Sequence, residues 1–210
     1  MRDVHTRRRQ QYQIIRSEDI QFGYHSVTGK FTKLTNDGIR AERIDPDRVL
    51  DNGEAYGARP LKGNAEFEVK IVSYGAGWHS SIGFGVMRFT KGVPIDFGCT
   101  IPSYSKRCVW AGKQLCNYLT TPTKRCDYGS VDLDDLREED HLGLRLSEDG
   151  VLEFTVNGES QGTAAEKVYT RDGDIYAVVH HDGECVATEI TKAGEQILYY
   201  CYQQVCKMSQ

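Results

Sequence analysis

Apolar residues recur at every second position through most of the chain, and glycine-bearing turns interrupt them at short intervals, which predicts an all-β antiparallel sandwich or barrel. The clearest alternation sets Phe67, Val69 and Ile71 against Glu66, Glu68 and Lys70, so one face should pack on a core while the other meets water. Ile82, Phe84 and Val86 share a face with Gly83 and Gly85 behind them. Missing side chains there leave room for another backbone or a ligand. Leu142, Leu144 and Leu146 line one face of a further strand, which Ser147-Glu148-Asp149-Gly150 joins to Val151–Val156. That second strand lies between Asp149-Gly150 and Asn157-Gly158, both turn formers. It is apolar, aromatic or β-branched except for Glu153, so it reads as packed on both faces. Two more apolar runs, 175–179 and 185–190, flank His180-His181-Asp182-Gly183-Glu184 and read as a hairpin with Gly183 in its turn. With candidates at 30–34, 38–43, 107–111 and 114–119, the count reaches about eleven strands.

A chain of 210 residues suits one well-buried domain with tails. Residues 1–20 read as a basic flexible arm and 21–192 as the sandwich. After Lys192 the pattern changes: Ile197, Cys201 and Val205 stand four apart, which predicts a short C-terminal helix within 193–210. So short a helix is marginal alone and must dock to persist. The net charge of −4 gives no overall bias toward nucleic acid or anionic membrane, although five Arg stand against one Asp in residues 1–16 and six acids against Arg137 in residues 132–140. No apolar run has the length of a signal peptide's core or a membrane span, which leads us to expect a soluble protein. Seven cysteines, an odd number with no CxxC pair, suit free thiols in a reducing compartment, so the expected location is cytoplasmic.

Chemistry is sparse. The richest cluster is His180-His181-Asp182 with Cys185. Neighbouring strand residues point to opposite faces, however, so the two histidines read as turn residues beside a small buried thiol. The chain has no phosphate-binding Gly-Lys-Ser/Thr loop, no GxGxxG after a strand and no HExxH. We therefore expect no catalytic residue, no cofactor and no metal ligand set. The acid run 132–140 has no internal glycine to fold a calcium loop and reads as solvated, as do Arg7-Arg8-Arg9, which lack interleaved aromatics. Binding is the better prospect. Tyr74, Trp78, His79, Tyr104, Trp110 and Tyr118 lie in or beside expected loops, where sandwiches present contacts. Trp110 and Trp78 are equally candidates for core anchors, whereas Asn157 reads as a turn former. The partner-binding set is therefore Tyr74, Trp78, His79, Tyr104 and Tyr118.

The order of these pieces is more specific than any one of them. Tyr24-His25-Ser26-Val27-Thr28-Gly29-Lys30, Asn36 to Arg43, Arg59-Pro60-Leu61, Phe67 to Ile71, Gly77-Trp78-His79-Ser80-Ser81-Ile82, Val109-Trp110-Ala111-Gly112, Asp140 to Leu146, Leu152-x-Phe154-x-x-Asn157-Gly158 and Tyr176-Ala177-Val178-Val179 follow one another. In that order they resemble the neuralized homology repeat of Neuralized-like proteins and, more distantly, SPRY-type sandwiches. This chain departs from the family at Tyr56-Gly57-Ala58, at His79 and at Val179 to Gly183, all near loops. The resemblance implies a protein-protein interaction module that binds a short linear segment of a partner, such as the tail of a Notch ligand, and serves ubiquitin ligation as a substrate-recognition subunit. No paired Cys and His knuckles of a RING finger are present, so any such role would be as an adaptor. Ile197, Cys201 and Val205 loosely resemble the helix by which SOCS-box adaptors bind elongin C. A scaffold or self-association domain is the alternative, and an enzyme built on His180, His181 and Cys185 is a further one.

Overall fold

The computed structural model describes residues 23–44, 52–74, 82–90, 106–181 and 185–195. Within them thirteen strands form two antiparallel sheets. The seven-stranded sheet runs β1 (Thr32–Thr35), β2 (Arg40–Arg43), β13 (Cys185–Glu195), β4 (Ala65–Tyr74), β9 (His141–Leu146), β10 (Leu152–Val156) and β11 (Glu159–Ala165). The six-stranded sheet runs β3 (Glu54–Tyr56), β12 (Asp174–His181), β5 (Ile82–Phe89), β6 (Lys106–Ala111), β7 (Gln114–Asn117) and β8 (Lys124–Asp127).

The inward faces are those that the alternation marks. Phe67, Val69 and Ile71 of β4, Ile82, Phe84 and Val86 of β5, and Leu142, Leu144 and Leu146 of β9 are each at most 2% exposed. Rings from the two sheets interleave across this core. Phe67 of β4 stacks on Phe84 of β5 at 6.3 Å, Phe84 meets Phe154 of β10 edge-on at 5.9 Å, and Phe154 stacks on Trp110 of β6 at 6.2 Å. Trp110 is thus a core anchor, fully buried and closed off by the edge of Tyr128. Truncating a ring in such a ladder costs about 3–5 kcal/mol.

The glycine behind β5 serves backbone packing. A Cβ on Gly85 would run into the carbonyl oxygen of Cys108 on β6, so the close approach is by a neighbouring strand. At the β10–β11 turn Asn157 and Gly158 both take positive φ, 50° and 83°, the mirror-image turn whose twist matches the flanking strands.

Several expectations need correction. The runs 175–179 and 185–190 do not form a hairpin, because β12 pairs with β3 and β5 whereas β13 pairs with β2 and β4. The chain crosses from one sheet to the other there. Alternation reveals which residues face inward but not which strand lies alongside. The histidines accordingly end a strand and do not occupy a turn. Strand β10 is packed on the core through Leu152, Phe154 and Val156 only. On its outer face Thr155 is covered by its neighbours, and Glu153 is half-buried. Glu68, expected in water, is 9% exposed, because Lys192, Thr191 and His141 converge on its carboxylate. β7 stops at Asn117, and β13 runs on to Glu195, past the Lys192 boundary expected for the sandwich. The arm 1–20 and the helix expected around Ile197, Cys201 and Val205 lie outside the described residues.

Candidate functional site

The crossing of β12 into β13 defines one end of the sandwich. β2 finishes there at Arg43, β4 finishes at Tyr74 opposite Cys185, and β5 begins at Ile82 opposite His181. His181 is fully buried at this point, and its ring joins both sheets. Nδ1 lies 3.0 Å from the Gly53 carbonyl oxygen and Nε2 lies 2.8 Å from the Thr188 hydroxyl on β13, which in turn meets the Tyr24 hydroxyl at 2.7 Å. The donors follow from the acceptors. A carbonyl can only accept, so Nδ1 carries the hydrogen. Nε2 of a neutral ring then accepts from Thr188, and Tyr24 donates to Thr188. Burial, opposed by the Gly53 hydrogen bond, pushes the His181 pKa down to about 4, so the neutral ring is the resident form. Arg43 donates to the His181 carbonyl oxygen, and the His181 backbone N–H donates to Gly53 at 3.0 Å.

This geometry dissolves the candidate His180, His181 and Cys185 site. His180 lies on the opposite face of β12, its Nε2 4.0 Å from Glu54. Cys185 is fully buried, and burial pushes its thiol up to about 12, far from a reactive thiolate. Among the described residues no group of His, Cys, Asp and Glu could hold a metal ion.

The partner-binding set is divided. Tyr74 closes β4 at the crossing end, with its side chain half-buried against the core and its N–H donating to Glu138 at 3.2 Å. Tyr118 stands at the opposite end. It follows β7, and its N–H donates to Arg107 of β6, which pairs with Met87, itself opposite Tyr176 near the start of β12. His181 lies five positions beyond Tyr176 along β12, about 17 Å at strand rise. Tyr118 is 42% exposed, with the Arg107 guanidinium 5.8 Å from its ring. Trp78, His79 and Tyr104 lie outside the described residues. A cavity of about 420 Å³, lined in part by Gly63, Glu148, Tyr169 and Arg171, lies at the Tyr118 end.

The acid run forms an ordered ridge beside Tyr74. Leu133 and Leu136 are at most 4% exposed and anchor it, while the Asp132 side chain caps a 3-10 turn at Leu133–Asp135. Asp140 accepts from the Arg137 N–H at 2.8 Å and from Asn157 Nδ2 at 2.9 Å, and Glu139 pairs with Lys70 at 3.3 Å. Asn157 is therefore both the turn former expected and a brace for the ridge. The sequence signal overlooked was the pair of leucines three apart inside an otherwise acidic stretch. Only buried anchors explain them there.

A sequence model of the Neuralized family matches residues 24–192. Among solved structures, the Neuralized NHR1 domain of Drosophila melanogaster is 20% identical, with a TM-score of 0.59 over 83% of this chain and 99% of that one. A solution structure of the NHR domain of Drosophila melanogaster Neuralized has a TM-score of 0.58 at 20% identity, over 87% of this chain and 98% of that one. The SPRY domain of human HERC1 has a TM-score of 0.54 at 14% identity, over 80% and 96%. Neuralized and SPRY domains are protein-binding modules, not catalysts. With most of its length matched by that one sequence model, the chain belongs to the Neuralized family.

Proposed function

We propose that this domain holds a short linear segment of a partner protein at its crossing end and acts as a substrate-recognition subunit or adaptor in ubiquitin ligation. The observation that carries the reading is the ordered rim at that end. Tyr74, the ridge from Asp132 to Asp140 and the His181 network together give loops a fixed frame, and a preformed frame lowers the ordering cost of binding. The partner class is an intracellular protein tail, with Notch-ligand tails the first to try. The free thiols of Cys108, Cys116, Cys126 and Cys185 favour a cytoplasmic setting.

Screening the full chain against a tiled peptide library tests this reading. Enrichment of one linear segment, weakened about tenfold or more by Tyr74→Ala and little changed by Tyr118→Ala, is the expected result. No enrichment would sink it, and dependence on Tyr118 alone would move the site to the other end. The adaptor role has its own test, recovery of elongin C by the full chain and its loss in Cys201→Ala. Failure of the intact chain to recover elongin C removes that role without touching the peptide reading.

A further inference from the structure

We propose that His181 is a positioning residue for the recognition end: its ring holds residues Asn52–Glu54, which lead into β3, against the β12–β13 crossing, and protonation of that ring breaks its tie to Thr188 and loosens this end. The inference rests on reading this end as the recognition end, and it extends that reading to how the end is set and when it loosens.

Gly53 has no side chain, and a Cβ there would run into the His181 carbonyl oxygen, so this backbone passes His181 in contact. The Gly53 carbonyl accepts twice from one residue, from the His181 backbone N–H and from the ring Nδ1, both at 3.0 Å. On the far side of the ring, Thr188 and Tyr24 tie the same imidazole to the other sheet. The ring therefore links three stretches distant in sequence, and each bond in the chain has one permitted donor. A second proton would have to enter at Nε2, which keeps the Nδ1–H bond to Gly53 but makes Nε2 a donor facing the Thr188 hydroxyl, so Thr188 can no longer donate to the ring and the ordered sequence of bonds through Tyr24 is lost.

The surrounding charges reinforce this. Arg43 of β2 faces the His181 carbonyl and opposes a second positive charge, as does His180 from its own strand. Tyr24 and, on β13, Cys185 are buried and neutral at pH 7, because burial pushes both hydroxyl and thiol upward. Glu54 of β3 lies on the His180 side, and Glu189 of β13 acts only at a distance, on Tyr24. No compensating anion meets the ring among the described residues.

The test needs no partner, so its failure is separable from failure of the binding reading. Imidazole nitrogen spectra of the full chain at pH 7 should show His181 as the Nδ1–H tautomer, the less common neutral form. Amide exchange then reads the position of β3, because Phe31 donates to Asn52, Gly29 to Glu54 and His181 to Gly53. Thr188→Val should speed exchange at these three amides about tenfold or more while leaving Leu144 and Phe154 unchanged, and Thr188→Ser, which keeps the hydroxyl, should restore protection. Between pH 7 and pH 5 the wild-type chain should show the same local acceleration after correction for intrinsic rates. An Nε2–H tautomer, unchanged reporter amides in Thr188→Val, or acceleration spread evenly over both sheets would each overturn the proposal.

Discussion

The two sheets share one core but present unlike outer faces. On the seven-stranded sheet the outward residues form an ionic lattice. Glu42 pairs with Lys33 and Arg40, each at 2.8 Å, Glu68 with Lys192 at 2.8 Å and His141 at 3.2 Å, and Glu66 with Arg145 at 2.8 Å. On the six-stranded sheet the outward residues build a second apolar cluster of Tyr56, Met87 and Val178, all at most 3% exposed, with Phe89 and Val109 packed against it. Phe89 meets Tyr56 and Tyr176 edge-on at 6.2 and 5.6 Å. Exposed ion pairs contribute little net stability, whereas buried apolar contacts contribute in proportion to area. One outer face therefore keeps its sheet soluble, while the other adds to the fold.

The largest expected effect tests the apolar face. Met87→Ala should cost about 2–5 kcal/mol by urea unfolding, and Arg145→Ala, on a half-exposed pair, less than about 1 kcal/mol. Equal costs would erase the contrast. Next comes the joint between the sheets. His181 is held near a pKa of about 4, below the ordinary 6.5, so the fold excludes its proton. The corresponding stability is full above pH 6.5 and declines as pH falls toward 4, by about 3 kcal/mol, beyond which this loss levels off. Urea midpoints at pH 7, 5 and 4 would check it, and a flatter profile in His181→Gln than in wild type would assign it to the ring.

A smaller effect probes the one buried carboxylate of the ionic face. Burial raises the Glu68 pKa, but Lys192, Thr191 and His141 outweigh it and hold the carboxyl below its usual range. Glu68→Gln should cost about 1–2 kcal/mol near neutral pH, and the difference from wild type should shrink below pH 4 as the native carboxylate takes up its proton. The smallest effect is at Tyr118, where replacement by Ala should change stability by less than about 0.5 kcal/mol, since the residue is exposed and outside the core.

The core was readable from alternation, because Phe67, Val69, Ile71 and the three leucines of β9 obey a period set by the backbone itself. Asn157-Gly158 was readable for a similar reason, since few dipeptides tolerate positive φ twice. Glu68 was misread because burial of an outward residue depends on which side chains close over it, and those come from β9 and β13. The supposed hairpin failed on the same ground, as inward alternation in β12 and β13 looks identical whether they pair or cross. The recognition surface was least legible. Tyr74 and Tyr118 have similar loop-edge contexts in the sequence, yet the fold sends them to opposite ends. The buried bond chain through His181 had no sequence signature, since its members, Tyr24, Gly53, His181 and Thr188, are brought together only by the sheets.

The position of β13 has a consequence for biosynthesis. It is the last described strand of the chain, yet it lies between β2 and β4, which emerge from the ribosome long before it. Until it arrives, β2 and β4 each present an unpaired row of backbone groups, and β4 does so beside three fully apolar inward residues. Such half-made edges recruit other strands, so the nascent domain should depend on chaperones until its final strand closes the gap, and folding should be slow for its size.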